Sequence, residues 1–559
     1  MDLKPITETL SLSKQIQLDD IPKLAELGFR SIVCNRPDGE GAEQPTIDEI
    51  CSAGKAAGLE VRYLPIVPGR ISDIDVADFT KAMREVPKPT LAYCRTGARS
   101  ATLWSLSRAA TLPTADILKT ARKAGYDVSG DVRRIANGGK TPKNQLDEHY
   151  DIVIVGAGAA GIATAHSLLK RNSEIEIAII DPADIHYYQP GWTMVGGGIF
   201  EPDDTAKTMG SLIPKSVHWL KAAVTAFEPK NDVLILEGCR VIQYKRLVVC
   251  PGLKLDWNKI EGLSETLGRN GVTSNYRYDL APYTWSLVQS LKSGKAIFTQ
   301  PPMPVKCAGA PQKALYLSSD HWYREGRIDD IDISFNNAGG VLFGVKEYVP
   351  ALEIYMDRYQ ATLNFFSNLV AVDGPARKAW FDVALPHKHV RRIEATFDML
   401  HVCPPQCAPD FIQVSPLADN NGWVDVDRAS LRHRSFENIW ALGDVTNAPN
   451  AKTAAAARKQ APVVAANIIA DINGESAVAS YDGYGSCPLT VERGKIVLAE
   501  FGYDGKLLPS FPGWLINGQR PSRAAWLLKK KLLPAIYWKG MLRGKEWMAK
   551  PETLVAEQE

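Results

Sequence analysis

The run Asp151-Ile152-Val153-Ile154-Val155-Gly156-Ala157-Gly158-Ala159-Ala160-Gly161 constrains this chain more than any other. An apolar strand leads straight into a glycine-spaced turn, a helical stretch follows over 162–170, and a second apolar strand over 175–180 ends at Asp181. That is a complete strand–helix–strand unit, far more specific than a lone glycine pattern. Gly156 permits the tight turn, Gly158 lets a pyrophosphate approach the backbone, and Gly161, next to Ala160, lets helix and strand pack closely. The helix N-terminus offers N–H donors and a partial positive charge to phosphates. Asp181 stands where a ribose 2′-hydroxyl is held, and an acid there disfavours a 2′-phosphate.

A second motif fixes which dinucleotide. Trp440-Ala441-Leu442-Gly443-Asp444 reads as a short strand closing on Gly-Asp, and a helix starts near Lys452-Thr453-Ala454-Ala455-Ala456. This resembles the second motif of flavoproteins with two dinucleotide-binding domains. The resemblance implies FAD, with Gly443 and Asp444 at its ribityl and phosphate-side hydroxyls. The helix N-terminus and Lys452 would face the flavin edge that becomes negative on reduction. Where a pyridine-nucleotide reductase has its second glycine fingerprint, the strand at 295–299 instead runs into Gln300-Pro301-Pro302-Met303-Pro304-Val305-Lys306-Cys307. Prolines remove N–H donors and forbid the glycine turn, so NAD(P)H is not expected as electron donor.

Cys307, in Val305-Lys306-Cys307-Ala308-Gly309-Ala310-Pro311-Gln312-Lys313, is the natural alternative. Here the chain resembles the sulfide:quinone oxidoreductases. Further matching segments are His186-Tyr187-Tyr188-Gln189-Pro190, Phe343-Gly344-Val345-Lys346, Asn450 to Ala456 and Tyr481-Asp482-Gly483-Tyr484. The resemblance implies a catalytic Cys307 beside FAD, a sulfane sulfur held between two cysteines, and electrons passing from sulfide, or a low-molecular-weight persulfide, through FAD to quinone. It also implies a second redox cysteine directly after Gly-Asp, where this sequence has Val445. Valine cannot carry sulfur, which leaves Cys250, Cys403, Cys407 or an external thiol as the partner.

A second thiol loop lies upstream. Leu91-Ala92-Tyr93 reads as a strand, Cys94-Arg95-Thr96-Gly97-Ala98-Arg99-Ser100 as a loop, and residues 101–106 as a helix. Backbone N–H groups and a helix dipole around such a loop cradle an anion and lower a thiol pKa, and Arg99 adds a fixed fork of positive charge. The loop resembles those of protein tyrosine phosphatases, but Arg99 falls five residues after Cys94 instead of six, the length seen in single-domain rhodaneses. Residues 1–112, including Asn35-Arg36-Pro37-Asp38 and Pro65-Ile66-Val67-Pro68-Gly69, resemble the phosphatase-like domain fused to β-lactamase-type hydrolases. Loop length favours persulfide transfer, with Cys94 as carrier and Arg99 as clamp. The alternatives are a phosphatase–flavoprotein fusion, for which Asp38, Asp73 or Asp75 would be the acid, and a non-catalytic redox or persulfide sensor.

The expected fold is α/β: a phosphatase/rhodanese-like thiol domain over 1–112, a connecting segment and linker over 113–149, and a Rossmann-like FAD oxidoreductase over 150–504. Within the last, an FAD domain comprises 150–280 and 410–475, and a middle domain over 281–409 carries a degenerate second nucleotide fold. The 559 residues carry 65 Lys+Arg against 63 Asp+Glu, a formal +2 that argues against a nucleic-acid partner. That charge is segregated, because residues 520–550 hold nine Lys or Arg and one acid, Glu546, interleaved with Trp526, Trp538 and Trp547. The tail over 505–559 therefore reads as a basic amphipathic surface for anionic lipid, beside a lipid-dissolved quinone. Nine irregularly placed cysteines suggest no disulfide framework and no metal site, and no signal-peptide pattern opens the chain. The expected location is cytoplasmic, peripheral on the inner face of the membrane, with the oligomeric state left open.

Overall fold

The computed structural model describes residues 2–41, 43–67, 69–142, 148–386 and 389–553, so Pro68, linker residues 143–147 and the end of the tail lie outside the described residues. The chain divides into two units. One comprises Met1–His149, Ala222–Gln243 and Asp410–Pro416, and the other Tyr150–Lys221, Tyr244–Pro409 and Leu417–Glu559.

In the first unit, every residue of the strands Ser31–Cys34 and Thr90–Tyr93 is buried. Ile32, Cys34, Leu91 and Tyr93 pack on one face with Ile21, Leu24 and Ile50, whereas Val33 and Ala92 pack on the other with Phe79, Trp104 and Ile117. Strands apolar on both faces require helices on both sides, the arrangement of a parallel sheet. The sheet order is Lys4–Thr7, Leu10–Ser13, Thr90–Tyr93, Ser31–Cys34, Glu60–Tyr63, and only the first pair is antiparallel. Thr90–Tyr93 is central, so Cys94 emerges at the carboxyl end of the middle strand, where α/β sheets bind ligands.

The polar stretch after 112 is more structured than its composition suggests. Helices Thr114–Lys123 and Val132–Ala136 bury Ile117, Leu118, Val132 and Ile135 in the same core. Their apolar residues recur at helical spacing beneath a polar outer face, which an averaged composition conceals. The segment 113–149 therefore contains a packed helix at Val132–Ala136. The unit also takes in later segments: Ala226, Ile235 and Val414 join its core, and Arg133 makes a two-pronged ion pair with Glu228 at 2.7 and 2.6 Å.

In the second unit, Glu148–Val155 lies beside Ile177–Ile180, which pairs with His218–Leu220, and Val241–Val249 pairs in parallel with Ile439–Ala441. Helices Ala159–Arg171 and Ala454–Ile472 start at the carboxyl ends of Glu148–Val155 and Ile439–Ala441 and pack against each other. A second parallel sheet runs Val272–Thr273, Met399–His401, Gly294–Gln300, Ile331–Asn337, Thr362–Phe365. This is the second nucleotide-type fold with its glycine turn replaced: Gly294–Gln300 leads through a proline-rich loop into helix Ala310–Arg324. An antiparallel hairpin, Gly485–Glu492 with Lys495–Phe501, precedes a tail whose helical turns run from Arg523 to Arg543.

Candidate active sites

The Cys94 thiol of the first unit is buried, and the amide of Gly97 donates to its Sγ at 3.1 Å. Gly97 has φ +92°, and a Cβ there would meet the Tyr126 hydroxyl at 2.1 Å, so the turn needs glycine on two counts. The loop closes onto the N-terminus of helix Ala98–Arg108, and Ser100 Oγ donates to Asn35 Oδ1 at 2.8 Å. The Arg99 guanidinium faces the Cys94 sulfur. It is held by two bonds to the Glu40 carboxylate, at 2.8 and 2.7 Å, and by one to the Ile66 carbonyl at 2.7 Å. Arg36 grips the same carboxylate at 3.1 Å, and these arginines keep the Glu40 carboxyl below the usual range. The three aspartates considered as acids are all engaged. Asp38 accepts from the Ile47 amide at 3.0 Å, Asp73 pairs with Arg134 and Thr141, and Asp75 closes a capping box with Ser72.

The second unit holds a cavity of about 670 Å³ that collects the sequence motifs. Gly156, Gly158, Ala160, Asp181, Gly443, Asp444, Lys452 and Cys307 all line it. Gly156 has φ +101°, and a Cβ on it would meet the Cys250 carbonyl at 2.6 Å. A Cβ on Gly161 would meet the Gly156 carbonyl at 1.9 Å, whereas Gly158 faces open space, as a close-approaching pyrophosphate requires. Asp181 accepts from the amides of Ala157 and Ala183, each at 2.8 Å, which fixes its carboxylate at the strand end. Thr193 Oγ1 and both side-chain polar atoms of Asn275, also in the cavity wall, are buried without a protein partner among the described residues. Lys452 donates to the carbonyls of Asp444 and Thr446 at 2.8 and 2.7 Å and lies over Trp423, and burial brings its pKa down to about 8. Its own carbonyl accepts from the Cys307 amide at 2.9 Å, tying the two motifs together.

The partner of Cys307 is Cys487, which the sequence reading missed. The two sulfurs are 3.5 Å apart, and Lys313 Nζ donates to Cys307 Sγ at 3.0 Å. The hydrogen bond from Cys487 and the adjacent ammonium hold Cys307 well below the ordinary thiol range, against its burial, and the same contact pushes Cys487 up. Cys307 has φ +48° and sits just ahead of helix Ala310–Arg324, whose N-terminus favours a thiolate. The hairpin strand explains the placement: Cys487 and Leu489 point into the core, while Ser486 and Pro488 line the cavity. A usable signal existed, because Cys487 lies three residues beyond the matching segment that ends at Tyr484.

Of the other candidates, Cys403 sits in an apolar cluster against which Cys307 also packs. Val445 is fully buried. Cys250 packs beneath the glycine turn, its thiol pushed up by burial. Cys403 is buried in one apolar cluster with Val305 and Ala310, and burial raises its thiol to about 12. Cys407 lies in a short strand paired with Lys254. The tail departs from expectation at Lys529, which belonged to the lipid-facing set. It is 2% exposed, lines the cavity, donates to the Pro190 carbonyl at 2.9 Å and is brought down to about 7 by burial and by Lys313.

Known proteins resemble this chain in both regions. The family described as Beta-lactamase hydrolase-like protein, phosphatase-like domain, matches residues 2–111, and Pyridine nucleotide-disulphide oxidoreductase matches residues 150–288. A mitochondrial sulfide:quinone oxidoreductase of Dictyostelium discoideum is 41% identical over 416 residues, 74% of this chain and 90% of that protein. A Beta-lactamase hydrolase-like protein of Agrobacterium fabrum is 33% identical over 130 residues, 23% of this chain and 30% of that one. The structure of the sulfide:quinone oxidoreductase from Aquifex aeolicus shares the fold, with TM-score 0.60 and 18% identity over 74% of this chain and 98% of that one. The cofactor is FAD, which the glycine cradle, Asp181 and the unpartnered polar groups of the cavity wall fit. The chain belongs to the sulfide:quinone oxidoreductase family and carries, over residues 2–111, a phosphatase-like domain.

Proposed function

We propose that this protein oxidises sulfide with quinone as electron acceptor, and that its Cys94 loop transfers persulfide sulfur. The Cys307–Cys487 pair, 3.5 Å apart, carries the first part, with Cys307 and its neighbour Lys313 lining the FAD cavity and Cys487 directly behind Cys307. That separation is too long for a disulfide, but two S–S bonds of ~2.05 Å meeting near the tetrahedral angle span about 3.3 Å, so one sulfane sulfur fits between the cysteines. Hydrosulfide attacking Cys487 breaks its bond to the bridging sulfur and leaves a persulfide on each cysteine. The one on Cys307 departs as an anion that Lys313 stabilises. An acceptor thiolate takes the outer sulfur from Cys487, and re-forming the bridge releases two electrons. FAD held by the glycine cradle and Asp181 would supply the two-electron acceptor chemistry that links the thiols to quinone. With acceptor RSH the balance is HS⁻ + RSH + quinone + H⁺ → RSSH + quinol.

Cys94 would then receive sulfur from such a persulfide. One amide and a guanidinium around a buried thiol suit a small sulfur anion, and Asp38, Asp73 and Asp75, engaged as helix caps and ion pairs, leave phosphate-ester cleavage without an evident acid. The quinone and membrane readings rest on the tail. Leu528, Leu533 and Phe511 line the cavity, while Trp514 (85% exposed), Leu515, Leu527 and Leu532 are exposed, as are Lys530 and Lys531. Among the described residues no helix is long and apolar enough to cross a membrane.

The test is sulfide-dependent decylubiquinone reduction by the purified holoprotein. Flavin bleaching by sulfide, lost in both Cys307→Ser and Cys487→Ser, is the expected result. Absence of bleaching, or bleaching indifferent to both changes, refutes the oxidoreductase reading. For Cys94, thiocyanate release from thiosulfate and cyanide should vanish in Cys94→Ser, and Cys94-dependent hydrolysis of an aryl phosphate would instead support the phosphatase reading.

A further inference from the structure

Resting on the quinone reading above, we propose that Ser510, Glu500 and Tyr484 form the proton entry path for quinone reduction, with Tyr484 the donor to the quinone oxygen. All three line the FAD cavity, together with the apolar Leu498, Phe511 and Leu528. The Tyr484 hydroxyl donates to Glu500 Oε1 at 2.6 Å and stands 3.0 Å from Ser510 Oγ, and the Ser510 amide donates to Glu500 Oε2 at 3.1 Å. Glu500 and Tyr484 are each 5% exposed, whereas Ser510 is half-buried, which makes Ser510 the member of the chain most open to water.

Glu500 is buried beside Val497, Leu498 and Ala499, where a carboxyl depends on close polar partners. Among the described residues no Lys or Arg nitrogen lies within ion-pair distance of Glu500; half-buried Arg458 acts on Glu500 through its charge and also meets the Tyr484 hydroxyl, leaving that hydroxyl's proton directed at Glu500. Packing does not require the acid either. The strand's backbone is paired across the hairpin, and Tyr348 caps residue 500 through main-chain bonds at 3.0 Å. What remains is a carboxyl hydrogen-bonded to the Tyr484 hydroxyl and the Ser510 amide, in a part of the cavity wall that also holds Leu498, Phe511 and Arg458.

The proton balance gives such a group work. Sulfide oxidation as written supplies two electrons, and one of the two protons of quinol comes from the reactants, so one must enter from solvent per turnover. As the electron pair arrives, the Tyr484 O–H bond breaks and an O–H bond forms on the quinone. Tyr484 recovers its proton from Glu500, and Glu500 from solvent by way of the Ser510 hydroxyl.

The experiment separates the half-reactions in holoprotein reduced with dithionite and mixed with decylubiquinone. Glu500→Gln should slow flavin reoxidation about 10²-fold and Tyr484→Phe by roughly 10-fold, within the range of general-acid effects. Glu500→Asp should recover part of the rate. Decylubiquinone binding, followed by tryptophan fluorescence quenching, should stay within about 2-fold of wild type, as removing a proton donor without removing a binding group predicts. Reoxidation at the wild-type rate in both Glu500→Gln and Tyr484→Phe overturns the proposal. So does equal slowing of sulfide-driven reduction and quinone-driven reoxidation with weakened quinone binding, which marks a structural role. Wild-type protein that decylubiquinone cannot reoxidise would sink the quinone reading itself.

Discussion

The molecule prepares two thiols by different physics. Cys94 is surrounded by groups fixed in place: one amide, a helix N-terminus, and a guanidinium pinned by Glu40. Cys307 relies on mobile protons and charges, namely a second thiol at 3.5 Å and an ammonium at 3.0 Å, with Lys529 also in the cavity wall. The first arrangement suits an anion of fixed shape, while the second lets charge be shared between two sulfurs. Geometry set by backbone is robust to single side-chain changes. Charge set by buried lysines is not, because each lysine's own pKa depends on its neighbours.

The sharpest break of that comparison is Cys307→Ser, which should lower sulfide-driven flavin reduction by at least about 10³-fold in stopped-flow absorbance while leaving Cys94-dependent sulfur transfer intact. Next comes Lys313→Met. Removing an opposite charge in contact shifts a pKa by roughly 1–3 units, so iodoacetamide alkylation of Cys307 at pH 7, read by mass spectrometry, should fall at least about 10-fold. The sign follows from the lowered folded-state pKa. In wild type the thiolate persists below the ordinary thiol range and is lost only as pH falls through that depressed value, whereas in the variant it is lost at higher pH. Arg99→Lys should cut sulfur transfer by Cys94 roughly 10-fold, because an ammonium cannot make the two-pronged contact with Glu40 and still face the sulfur. Smallest, Trp514→Glu with Leu527→Glu should weaken binding to anionic vesicles several-fold, since both side chains are exposed and neither packs in the core.

The second cysteine shows where legibility stopped. Cys307 was readable because strand, loop and helix are consecutive, and the same holds for Gly156 to Asp181 and for Gly443 to Lys452. Cys487 lies 180 positions away on an antiparallel hairpin, and which face of that strand meets Cys307 depends on a register that spacing along the chain does not encode. Lys529 failed for a related reason. Among three consecutive lysines only packing decides which one turns inward, and the structure buries Lys529 while Lys530 and Lys531 stay outside.

Local chemistry is what the sequence determined by itself: two glycine-built nucleotide motifs, hence FAD, and a Cys94 loop whose length and Gly97 are legible in seven consecutive residues. Tertiary structure alone decided which thiol neighbours Cys307, the contact between Glu500 and Tyr484, and the recruitment of Ala222–Gln243 and Asp410–Pro416 into the first unit. The reason is physical. Turn and helix chemistry acts over a few bonds and leaves its mark in adjacent residues, whereas thiol–thiol contact, buried charge and core sharing depend on which distant surfaces fold together.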